Sequence, residues 1–110
     1  MQGDWLASYL KNFHLGAEHA ATARELEQAF GLTARELRDL VNTLRREGVP
    51  IASGGSGYYY ARTAGEVYAT IRHMKRRIGG ICAAIHGLEQ SLEQFYPEQL
   101  RLPLNREPPD

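Results

Sequence analysis

The apolar positions of the N-terminal half recur at helical spacing in short runs. Over 4–14, Trp5, Leu6, Tyr9, Leu10 and Phe13 fall on one side at about 100° per residue. Asp4 is placed to cap this helix, Leu15-Gly16 to end it, and a loop follows through Ala21. A second run, with Ala23, Leu26, Ala29 and Phe30 inward, predicts a helix from Thr22 to Phe30, ended by Gly31. A third, with Leu37, Leu40, Val41 and Leu44 inward, predicts a helix from Thr33 that ends before Gly48-Val49-Pro50. The stretch IASGGSGYYYAR then reads as a β-hairpin. Ile51 and its neighbour form one strand, 53–57 the tip, and Tyr58 to Ala61 the returning strand, with at least one tyrosine packed on the core.

The C-terminal half carries a stricter pattern. Val67, Ile71, Met74, Ile78, Ile81, Ile85, Leu88, Leu92 and Phe95 alternate steps of four and three, a heptad seam with Ile71, Ile78, Ile85 and Leu92 at a and the others at d. A helix over this span is about 43 Å long at ~1.5 Å per residue, more than a small domain covers. Gly79-Gly80 weaken helix propensity, but the seam keeps phase across them, which favours one continuous helix. With Cys82, Ala83 and Ala84 they make a thin middle where another helix can approach. The chain thus reads as residues 1–62, a long helix over 63–96, and a proline-rich extended tail over 97–110.

The helix starts share one chemistry. TARE occurs at Thr22 and again at Thr33, with a looser copy, TAGE, at Thr63. Thr followed three residues on by Glu is a capping box: the hydroxyl accepts from the Glu N–H and the carboxylate reaches back to the Thr N–H. Each cap is worth about 1 kcal/mol. Two capped helices in quick succession around Gly31 form the helix-turn-helix pattern, although a plain helical hairpin has the same spacing.

Composition bounds the functions open to this chain. Its 110 residues suit one domain with an extension, and lysine plus arginine balance aspartate plus glutamate to a formal net charge of zero. Nucleic-acid binding must therefore rest on where the charges sit. No apolar run approaches the ~20 residues of a membrane span, no export signal is recognisable, and the one cysteine, Cys82, suits a reducing cytoplasm. On the helix from Thr33, Arg35, Arg38, Asn42, Arg45 and Arg46 lie on or beside the outward face; Arg matches guanine edges or phosphates and Asn matches adenine. Asp39 on that face fits an ordinary solvated surface better. His14, His19, His73 and His86 with Cys82 make no metal-ligand spacing, the glycine-rich tip lacks a P-loop lysine, and no nucleophile or carboxylate pair stands out. Neither an enzyme nor a cofactor is expected.

The residues from Thr22 to Ala61 resemble the N-terminal DNA-binding domain of the biotin operon repressor and its relatives, among small bacterial and phage regulators. The likeness is carried by TLRREGVPIASGGSGYYYA, with Leu44, Arg45, Gly48, Val49, Ile51, Gly57 and Tyr58 at the family's positions. It implies a mainly α winged helix-turn-helix, three helices plus a β-hairpin wing, followed here by the long helix. It also implies a recognition helix over 33–47 in the major groove of double-stranded DNA, with Thr33 near phosphate. Biotin chemistry is not carried over. This tip, Ser-Gly-Gly-Ser, lacks the basic residue common in family wings, which leaves backbone N–H groups or Arg62 to meet phosphate. Winged helices also dock proteins, so a DNA-free assembly module is the alternative.

The seam predicts a homodimer through Met74, Ile78, Ile81, Cys82, Ile85, Leu88 and Leu92. Arg72, Lys75, Arg76 and Arg77 stand in its first half, Glu89 and Glu93 in its second. Parallel packing gives no ion pairs across the seam; antiparallel packing pairs Lys75 with Glu89 about a dyad near Cys82, so the antiparallel form is favoured.

Overall fold

The computed structural model describes residues 2–95 of the chain. In order they form α1 (Gln2–Phe13), a 3-10 turn (Ala17–His19), α2 (Ala23–Phe30), α3 (Ala34–Arg46), β1 (Ile51–Gly54), β2 (Gly57–Tyr60), α4 (Ala64–Ser91) and a final 3-10 turn (Leu92–Gln94). The protein is mainly helical with one small antiparallel sheet, and no helix among the described residues is long and apolar enough to cross a membrane. The chain divides into two units, Met1–His73 and Met74–Asp110, and α4 contributes to both. The proline-rich tail lies outside the described residues.

Both TARE motifs form complete capping boxes. Thr22 Oγ1 accepts from the Glu25 N–H at 3.1 Å and the Glu25 carboxylate accepts from the Thr22 N–H at 2.8 Å. Thr33 and Glu36 repeat the arrangement at 3.1 and 2.8 Å. Between the two helices Gly31 takes φ 65, the left-handed conformation that lets α2 stop and α3 start within a few residues.

The core is built from one stripe of each helix. Leu6 and Leu10 of α1, Leu26 of α2, and Leu37, Val41 and Leu44 of α3 are buried together with Ala21 and Ile51. Three sequence expectations change here. Asp4 lies inside the first turn rather than before it, because α1 starts at Gln2; its carboxylate faces the positive end of the helix dipole instead of capping it. Ala23 and Ala29 are exposed, since Leu26 and half-buried Phe30 alone fill the contact of α2 with the core. Phe13 is 67 % exposed: it sits on the last turn of α1 and touches Tyr9 rather than the core. Trp5 and Tyr9 instead meet Phe30 at ring-centroid distances of 4.1 and 4.9 Å, closing α1 over the end of α2.

The hairpin is longer in strand and shorter in tip than the sequence suggested. Ile51 pairs with Tyr60, Ala52 with Tyr59, Ser53 with Tyr58 and Gly54 with Gly57, so Ser53, Gly54 and Gly57 belong to strands and Gly55-Ser56 alone turn. Ile51, Tyr58 and Tyr60 share the face that packs on the helical core. Ala52 and Tyr59 point the other way and are buried too, at 1 % and 6 % exposure. On that side Thr70 of α4, itself buried, accepts from the Ser53 N–H at 3.2 Å. The expected loop before α2 is also structured. His14 O accepts from Tyr60 N–H at 2.9 Å, Gly16 N–H donates to Tyr60 O at 2.9 Å, and Ala21 and Tyr58 exchange both backbone bonds at 2.8 Å.

This second pairing explains Gly57. Its φ is 123, and an added Cβ would collide with the Ala21 carbonyl. The start of α4 departs from the other two boxes. Thr63 Oγ1 accepts from the Glu66 N–H at 3.2 Å, but the Glu66 carboxylate makes its shorter bonds elsewhere than at Thr63. It accepts from Arg62 N–H at 2.6 Å and, across the chain, from Ala17 N–H at 2.9 Å. α4 runs 28 residues without a break at Gly79-Gly80, and the α-helix ends at Ser91, short of the span expected over 63–96.

Gly57→Ala should lower the unfolding free energy by about 2–3 kcal/mol, because the strand must leave the Ala21 carbonyl or strain. Gly55→Ala, with open space around the site, should stay within about 0.5 kcal/mol of the parent. Urea unfolding of the two variants against the parent measures both.

Candidate nucleic-acid interface

The solvent face of α3 follows from its core stripe. With Leu37, Val41 and Leu44 buried, Arg35, Arg38, Asn42 and Arg46 are turned outward and all four are exposed. Arg35 and Arg38 have no ion-pair partner among the described residues. Arg46 leans along the helix, donating to Thr43 Oγ1 at 3.2 Å, while Thr43 donates to Asp39 O at 2.9 Å.

Counting ~3.6 residues per turn, Arg38 and Arg45 fall on one line and Arg35 and Asn42 beside it. Arg46 and Asp39 follow next to Arg35 on the outward face, and Glu36 falls on the other flank, toward the α2–α3 turn. There a shallow cleft of about 390 Å³ has Phe30, Leu32 and Leu40 as its floor and Glu36 and Asp39 at its rim.

Arg45 is the residue whose role the sequence did not show. It is half-buried rather than outward. Its Nε donates to Ile51 O at 2.8 Å and its terminal nitrogen to Ser53 Oγ at 3.1 Å. The physical reason is the sharp return of the chain at Gly48-Val49-Pro50, which lays β1 against the flank of α3 that carries Arg45. The guanidinium fork bridges a carbonyl and a hydroxyl that a lysine could not hold together. Arg45 therefore joins the basic flank of α3 to the hairpin, and Ser53 is bonded in turn to Thr70. No signal in the sequence singled out Ser53 or Thr70.

Two expected contacts are placed less centrally. Thr33 is exposed, but its hydroxyl is engaged as the helix cap, so what it offers a phosphate is the capped end of α3. There the Ala34 and Arg35 N–H groups have no partner among the described residues. Arg62 follows β2 at the end of the hairpin away from Gly55-Ser56 and pairs with Glu18 at 3.5 Å, both side chains largely exposed. It does not reach the tip. His14 Nδ1 is bonded to His19 O at 2.8 Å, tying down the turn between the two residues.

Two carboxylates are held below their usual range. Glu66 is lowered first by the Arg62 N–H and then by that of Ala17, with Thr63 and the Arg62 charge adding. Glu25 is lowered by the Thr22 N–H and hydroxyl. Burial pushes the Tyr59 phenol up, and the neighbouring Glu66 charge pushes it further.

In the second unit the heptad face is not covered by the described residues. Ile78, Ile81, Ile85 and Leu88 are 59, 60, 50 and 69 % exposed, Cys82 is exposed, and Met74 and Leu92 are half-buried. Leu92 lies in the 3-10 turn that follows α4. No protein-family model, curated protein or solved structure matches this chain.

Two outcomes follow. Arg45→Lys keeps the charge but loses the fork, and should lower stability by about 1–2 kcal/mol in urea unfolding. Glu66 and Glu25 titrate lower in the folded chain than their ordinary value of 4.5. Their contribution is thus complete above that value and is lost as pH falls through the lowered folded values. Unfolding midpoints followed from neutral pH to about pH 3 should fall less steeply for Glu66→Gln than for the parent.

Proposed function

We propose that the first unit is a winged helix-turn-helix that binds double-stranded DNA, with α3 as the recognition helix in the major groove and the β1–β2 hairpin as the wing. The observation that carries this reading is the Arg45 bridge. It fastens the wing to the flank of α3 on which Arg38, Arg35 and Asn42 stand exposed. Basic helix face and hairpin thereby form one surface, with Glu36 on the opposite flank and Asp39 the one acidic residue beside Arg35 and Arg46.

The roles divide by position. Arg35, Arg38 and Asn42 address base edges and nearby phosphates, since the bidentate fit of Arg to guanine and Asn to adenine needs an exposed side chain on a groove-sized helix. Arg46 contacts phosphate from the last turn. The Ala34 and Arg35 N–H groups at the capped start of α3 receive a phosphate, with Thr33 holding that helix end in place. Arg45 positions the wing rather than touching DNA. The wing tip has no basic side chain, so its contribution is limited to backbone N–H groups, and Arg62 is a peripheral phosphate contact at most. A net charge of zero is compatible with this reading because the relevant field is local. Such a protein is a small transcriptional regulator or phage accessory protein acting in the cytoplasm, without enzymatic activity or cofactor.

The exposed heptad face of α4 also supports a second reading, an assembly module of winged-helix fold that binds only protein. Fluorescence anisotropy on a mixed-sequence duplex at two salt concentrations separates the two. The DNA reading expects affinity to fall steeply with salt. Arg35→Ala with Arg38→Ala should flatten the log–log slope by about 2, close to one per phosphate contact removed. No binding at low salt, or binding indifferent to that double substitution, would leave the assembly reading in its place.

A further inference from the structure

The apolar face from Met74 to Leu92 has the spacing of a coiled-coil seam, and the described residues leave its central positions half or more exposed. We infer that a second copy of this chain covers it, with the two α4 helices antiparallel. This inference is independent of DNA binding, since every residue of the proposed contact lies in the second unit.

Two observations select this occupant. The first is charge. Lys75 and Glu89 both sit at the e position, with Arg76 and Arg77 toward the start of the segment and Glu93 toward its end. Reversing one helix lays the basic end of each copy along the acidic end of the other and sets Lys75 beside Glu89 of the second copy, twice per dimer. A parallel pair sets like charges side by side and gives Lys75 no acidic partner across the seam. A foreign partner would need the same pattern in reverse, which this helix already supplies to itself.

The second is register. In an antiparallel pair each a residue faces a d residue of the other helix. One alignment leaves no core residue of the segment unmatched: Ile81 against Ile85 of the second copy, Ile78 against Leu88, and Met74 against Leu92. That alignment has its dyad beside Cys82, so the two Cys82 side chains lie on the same side of the seam, near each other. In a parallel pair the e positions are on opposite sides. Gly80, Ala83 and Gly87 stand on the far side of α4 from the seam. In this arrangement Gly79 and Gly80 are set away from the proposed contact, and a Cβ added at Gly80 meets open space.

Light scattering on the full chain at tens of micromolar should give the mass of two chains. Ile81→Lys with Ile85→Lys should give one, with helix content and thermal unfolding of the first unit retained, because both side chains are exposed in the single chain. Lys75→Glu should weaken self-association about tenfold, and adding Glu89→Lys should restore it. Cys82 is the one cysteine in the sequence, so a short bis-maleimide should yield a covalent dimer through it alone. Gly80→Ala should leave the dimer intact. A monomer at tens of micromolar, or a dimer lost in Gly80→Ala and kept in the double lysine variant, would overturn the assignment of the seam. A dimer that the charge exchange does not restore would overturn the antiparallel arrangement.

Discussion

The middle of this protein depends on strand β2 being bonded along both edges. One edge pairs with β1, and the other takes the backbone of His14, Gly16 and Ala21. A two-stranded hairpin alone is marginal in water. Here it is held by three partners: the helical core against Ile51, Tyr58 and Tyr60, the segment before α2, and the first turns of α4 through Thr70. The tight place in this arrangement is the approach of the Ala21 carbonyl to Gly57, which a side chain would block.

From that anchored strand the candidate interface follows. β1 is carried on β2, and Arg45 grips β1 at Ile51 and Ser53. The same arginine stands in line with Arg38 on α3. Hairpin and basic flank are thus related through short hydrogen bonds rather than through a flexible loop. Glu36 of α3 lies on the flank that faces the α2–α3 turn, where it serves the helix cap.

Local chemistry was legible in the sequence wherever both partners were close in the chain. The capping boxes at Thr22 and Thr33, the left-handed Gly31 and the buried stripe Leu26, Leu37, Val41 and Leu44 all follow from spacing alone. So does the continuity of α4 across its paired glycines. What escaped was set by residues distant in sequence. Spacing identified Thr63 and Glu66 as a capping box, but Ala17 competes for the Glu66 carboxylate from across the fold. Helical periodicity gave Arg45 a direction without revealing that β1 lies there. Gly57 was visible as part of a family-like pattern, yet its physical cause, the Ala21 carbonyl, sits on another segment. The exposure of Arg35, Arg38 and Asn42 on one face was legible too, because facing solvent needs no partner.

The central claim is that α3 and the hairpin together form the surface that meets DNA. Backbone amide NMR on the full chain during addition of duplex DNA tests it most directly. The account predicts shift changes concentrated at Ala34–Arg46 and around Ser53 to Gly57, with the Ile78–Leu88 stretch unchanged. Shifts confined to that stretch, or no shifts at low salt, would contradict it.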